Sequence, residues 1–202
     1  MRLKTMVAVM ALGACWAGAG SMRASAQAMS MDMPAKHEAG AMSPAKALDD
    51  MLSLYEGEAM GVAKAMPADK YSFAPSAAIF APGQAPKFDT VRTFAGQVTH
   101  VAEANYYFYS TLSGLKPDMD MEKIGKLTSK DDAVAALAAS FAFAHKAIAT
   151  ITAANAFETI KGVDGMHTRA TLAAFGVAHG YDHYGQMVEY LRMNGIVPPG
   201  SK

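Results

Sequence analysis

The sequence predicts an all-α chain folded as a four-helix bundle, and three observations carry that expectation. Apolar residues recur at three- and four-residue steps in four separate stretches. Each stretch is bracketed by residues that cap or break helices. Of the 202 residues, 51% are hydrophobic, with Ala and Met prominent and no Val/Ile/Thr alternation of the kind strands require. Helices of roughly 20 to 26 residues would be about 30 to 40 Å long, and four of similar length cover one another's apolar faces most simply as a bundle.

The chain begins with Arg2 and Lys4, an uncharged stretch from Thr5 to Ser21, and small residues at Ala24-Ser25-Ala26. This is the pattern of a secretory signal peptide over residues 1–26, and it places the domain in the periplasm or outside the cell. Cleavage after Ala26 would remove three of the 18 basic residues and none of the 18 acidic ones, leaving an acidic excess of three. The uncharged run is at the short end for a membrane span, so no stable span is expected. Leu12-Gly13-Ala14-Cys15 offers a second route, resembling the lipobox of bacterial lipoproteins, with a lipid anchor at Cys15. Residues 27–44 read as a disordered Ala/Met-rich tether. Within it Met29, Met31, Met33 and His37 could offer soft donors to Cu(I), but a plain Met-rich linker is the simpler reading.

Ser43-Pro44 caps the first helix, whose stripe is Leu48, Met51, Tyr55, Val62 and Met66, and Pro67 ends it. Pro75, Pro82, Gly83 and Pro86 make 68–87 a long loop. Asp89 or Thr90 can cap a second helix that carries Phe94, Val98, Val101 and Phe108 to about Leu112, closed by Gly114 and Pro117. Thr128 or Ser129 caps the third, with Asp131 and Asp132 favourably placed in its first turn and Val134, Leu137, Phe141 and Ile148 facing inward. A loop around Gly162 and Gly165, with no strand expected, leads to a fourth helix from about Thr168 to Met193. Asn194-Gly195 and Pro198-Pro199 stop it.

Composition excludes several functions. Balanced charge gives no basic face for nucleic acid. A single Cys forms no internal disulfide, Cys-based zinc finger or iron–sulfur cluster, and on the simple-cleavage route the mature chain has no Cys nucleophile.

The histidines carry the chemistry. His179 and His183 stand one turn apart on one face, on a stripe with Leu172, Phe175, Asp182, Gln186 and Tyr190, close enough to share one metal ion. Zinc-like metals want at least three protein donors. From spacing alone the third is His100, on the second helix, or His145, between Phe141 and Ile148 on the third; His167 sits at the start of the fourth helix. Asp182 could orient an imidazole or act as a catalytic carboxylate, with Glu103 and Tyr181 as further helpers.

The segment HGYDHYGQ (Asp182 within it), followed by EYLRMNGIVPP, resembles the closing helix of the DinB-like family. RTFAGQVTHVAEANYYFY resembles that family's second helix, and MPADKYSF its stretch after helix one. The resemblance spans about residues 45–199. It implies an up-down-down-up bundle binding a divalent metal, zinc or nickel most often, through one His on helix two and an HxxxH pair on helix four: His100, His179 and His183. It also implies a metal-dependent hydrolase or a thiol transferase acting on an unidentified small molecule, with a non-catalytic metal- or ligand-binding bundle as the alternative and a homodimer as an open arrangement. Export argues against transferases that draw on a cytosolic thiol pool. Gly180, next to His179, is expected to soften that turn, since Gly costs up to about 1 kcal/mol relative to Ala in a helix.

Overall fold

A computed structural model of the chain describes residues 40–201 apart from 86, 88 and 89, so the leader, Cys15 and the tether up to residue 39 lie outside the described residues. Helix α1 spans Pro44–Ala65, and the Ser43 hydroxyl accepts from Lys46 N at 3.2 Å. It buries Leu52, Tyr55, Ala59, Val62 and Ala63, whereas Met51, expected inside, is 48% exposed. Steps of three and four from Leu48 reach either Met51 or Leu52, and only the partner surface decides between them.

Helix α2, Phe94–Ser113, begins later than Asp89 or Thr90 would have it. Thr93 is its cap, accepting from Gly96 N at 3.0 Å. The preceding loop fixes that start: Phe94 N and Ala95 N donate to the carbonyls of Phe73 and Tyr71 at 2.8 and 2.9 Å, satisfying two otherwise free helix-terminal donors. Gly114, at φ 77°, closes it. A one-turn helix α3, Met121–Ile124, follows, and α4 occupies Lys130–Ile148 behind the Ser129 cap.

Residues expected as plain loop form a hairpin. Strand β1, Thr159–Val163, pairs antiparallel with β2, Met166–Thr168. Asp164 and Gly165 turn between them at φ 51° and 79°, the left-handed pair that a two-residue hairpin turn demands. Asp-Gly between Val163 and Met166 was therefore the readable signal. His167 falls on β2 and is exposed, not on the last helix. Helix α5, Arg169–Met193, starts from a capping box between Thr168 and Thr171.

Helix α2 packs against α4 and α5, and α1 packs against the same two, so the four long helices close a ring around one core. Tyr55, Tyr71, Phe94, Tyr106, Tyr109 and Phe141 fill it, burial of each Phe contributing roughly 1.5–3 kcal/mol. Asn105 donates to the Ser140 hydroxyl at 3.0 Å, pinning α2 to α4 through a satisfied buried pair.

Gly180 does not break α5. A Cβ there would lie 2.2 Å from the Tyr55 ring, so the missing side chain is what admits that ring between α1 and α5. The cost in helix propensity is offset by a buried aromatic. Among the described residues no helix is long and apolar enough to cross a membrane.

Candidate metal centre

Three imidazoles converge where α2 meets α5. His100 is half-buried on α2; His179, half-buried, and His183, 5% exposed, stand one turn apart on α5. The ring centroids of His100 lie 5.3 Å from His179 and 4.6 Å from His183, and those two are 4.6 Å apart. One nitrogen from each falls within 4.8 Å of the others. The Nε2 atoms of His179 and His183 are separated by 3.3 Å. Two metal–nitrogen bonds of about 2.0–2.1 Å at a tetrahedral angle span about 3.3–3.4 Å, so this pair fits a shared divalent cation as it stands. His100 brings its own ring nitrogen within 4.8 Å of the other two.

The electrostatics agree with that fit. Burial, the Arg92 charge and the two neighbouring imidazoles push His100 down to about 4. Burial and His179 push His183 to about 4 against the opposing pull of Asp182. Burial also lowers His179, with Asp182 and Asp164 opposing. All three are therefore neutral at physiological pH, the form that ligates metals. Phe108 meets the His179 ring edge-on at 5.3 Å and limits its rotation.

A second layer of polar side chains stands behind the rings. His183 Nδ1 meets Gln97 Oε1 at 2.7 Å, Gln97 Nε2 donates to Gln186 Oε1 at 2.7 Å, and Gln186 Nε2 donates to Asp182 Oδ2 at 3.1 Å. Asp182 is exposed, and its hydrogen bonds reach an imidazole through these two amides. Gln97 was missed in the sequence, although a Gln on the otherwise apolar line of Phe94, Val98 and Val101 was a visible signal.

In front of the rings is a cavity of about 440 Å³. His100 and His179 line it with the apolar Tyr107, Phe108 and Met121 and the carboxylates of Glu103 and Asp164. Glu103 is one turn beyond His100, and burial raises its carboxyl while Arg92 opposes the shift. Asp164 comes from the hairpin turn and was not anticipated. Tyr181 is turned to α1, its ring 5.0 Å from that of Tyr55.

His145 is elsewhere. Its Nδ1 meets Asp49 at 2.5 Å and its Nε2 meets Glu56 at 2.9 Å, both on α1, beside a separate cavity of about 580 Å³. Both nitrogens are occupied on opposite edges of the ring, so no shared cation can be served. Of the two candidates, His100 is the one that the fold brings beside His179 and His183.

The family model described as DinB superfamily matches residues 51–187, from within α1 into α5 and across all three histidines. No curated protein matches the chain.

Proposed function

The chain belongs to the DinB superfamily, and on that premise we propose that it is an exported metalloprotein whose His100, His179 and His183 hold one divalent cation, zinc or nickel, to activate a nucleophile for hydrolysis or group transfer. The observation that carries this reading is the convergence of three neutral imidazoles from two helices, two of them on the wall of a cavity. When bound, the cation supplies Lewis acidity, the means of ionising water or a thiol near neutral pH.

The chain's own residues supply the rest. Tyr107, Phe108 and Met121 give the cavity an apolar wall on which the organic part of a substrate can rest. Glu103, held by α2 at the cavity wall, is placed to take a proton from the nucleophile or return one to a leaving group. Phe108 and the polar side chains behind His183 hold the rings in place. Hydrolysis is favoured over thiol transfer because the leader read in residues 1–26 takes the domain away from a cytosolic thiol pool; lipidation at Cys15 would have the same effect.

The test is elemental analysis of protein purified without a His tag, followed by turnover assays on ester, amide and lactone panels. One equivalent of metal, with turnover lost in chelator and restored by a single metal, is the expected result. Equal metal content in wild type and His183→Ala would overturn the ligand assignment. Stoichiometric metal without turnover on any panel would leave the non-catalytic metal-handling bundle.

A further inference from the structure

We propose that Asp182, Gln186 and Gln97 form a directional relay that holds His183 as its Nδ1–H tautomer and thereby points the Nε2 lone pair at the cation. This inference rests on the metal-binding reading above and concerns how the site is prepared before any ion arrives.

The direction follows from what each group can donate. A carboxylate has no proton to give in a hydrogen bond, so at the outer end Asp182 Oδ2 can only accept, at 3.1 Å, from Gln186 Nε2. That leaves Gln186 Oε1 facing Gln97, where it must accept from Gln97 Nε2 at 2.7 Å. Gln97 Oε1 is then the atom presented to His183 Nδ1 at 2.7 Å, and a carbonyl oxygen can only accept. The proton on His183 is forced onto Nδ1. Its Nε2, 3.3 Å from His179 Nε2, is left as a lone pair. Turning Gln186 over would set donor against donor at Gln97 and acceptor against acceptor at Asp182, and turning Gln97 over would set acceptor against acceptor at Gln186. Gln97 is 1% exposed, so little water is at hand to relieve such a clash.

The placement also joins the two helices that bear the ligands. Gln97 precedes His100 by one turn on α2, while its amide reaches across to His183 and Gln186 on α5. Asp182 neither lines the cavity nor hydrogen-bonds an imidazole, so it is a positioning residue, its hydrogen bonds reaching a ligand through two amides while its charge acts on the rings through space.

The experiment reads the tautomer directly. Nitrogen-15 spectra of the full chain, kept metal-free in chelator near neutral pH, should show a protonated Nδ1 and a lone-pair Nε2 at His183. Asp182→Lys places only donors at the relay's exposed outer end and should shift a large fraction of His183 to the opposite tautomer. Gln97→Leu should weaken zinc affinity by about 10- to 100-fold. An Nε2–H tautomer in the wild type, or an unchanged tautomer in Asp182→Lys, would overturn the relay. Should Gln97→Leu fail to fold, the exposed Asp182 position still decides the matter. Zinc affinity of His183→Ala, equal to that of wild type, would instead remove the metal reading, while the metal-free spectra would still judge the relay.

Discussion

His145 and the His100–His179–His183 set occupy one bundle, yet their rings titrate in opposite directions. At the α2–α5 contact, burial comes with further imidazoles, amides and the Arg92 charge, and the protonated form is disfavoured. At the α1–α4 contact burial also disfavours the charge, but hydrogen bonds and Coulombic attraction from Asp49 and Glu56 outweigh it and the ring is raised. The first setting leaves lone pairs free to ligate. The second consumes both nitrogens in an ion-paired clasp. Histidine function here is decided by which partners flank the ring, not by how deeply it is buried.

The largest expected effect separates the two settings outright. His183→Ala should weaken zinc binding by at least about 100-fold, roughly 2.7 kcal/mol, because two donors make an incomplete site. His145→Ala should leave the affinity within about twofold; titration calorimetry on both variants checks this.

The pH dependence of the metal-free chain sharpens the contrast. Below an unfolded value of about 6.5, an unfolded chain takes up protons that folded His100 and His183 refuse until about pH 4. Stability should therefore fall as pH drops through that window, by about 2–3 kcal/mol in total after discounting for solvent screening at half-exposed His100. Urea unfolding in chelator, repeated with His100→Leu, should show a shallower acid limb for the variant.

Gly180→Ala probes the support beneath the histidine cluster. Its Cβ would meet the Tyr55 ring at 2.2 Å, and accommodating it should cost about 1–3 kcal/mol by thermal or urea unfolding. Zinc affinity should fall with it, since His179 and His183 flank the displaced turn, while the clasp at His145 should keep its pH response.

The smallest effect belongs to that clasp. A raised folded pKa gives stability that is complete below the unfolded value of about 6.5 and lost as pH rises through the folded value. The side chains are about a third exposed, so the loss should be under about 1 kcal/mol. His145→Ala should flatten the alkaline side of the stability profile and leave the acid side unchanged.

What could be read from the sequence, and what could not, follows the same division. Ser43, Ser129 and Gly114 act through neighbours within four residues, so most helix ends were legible. His179 and His183 were legible because one turn of one helix sets their spacing. Spacing left the third candidate ligand open between His100 and His145, since helical phase alone does not reveal what stands opposite; Asp49 and Glu56 meet His145 from 96 and 89 residues away. The late start of α2 depended in the same way on carbonyls of Phe73 and Tyr71. Asp182 was taken to lie on the inward stripe, but the buried line passes through Gly176, Gly180 and His183, one residue to the side. The hairpin was a different kind of miss: Asp164-Gly165 announced it locally.

That hairpin has a consequence for how the protein could be altered. The cavity is walled by helices on most sides, but Asp164 brings it a reverse turn, which can change length or chemistry without disturbing core packing. Exchanging this short rim would retune the entrance, in size and in charge, while the three imidazoles stayed on their rigid supports. The bundle thus sets a fixed cluster of rings on helices beside a turn that can be exchanged, and a library confined to that turn is the economical place to vary what the cavity admits.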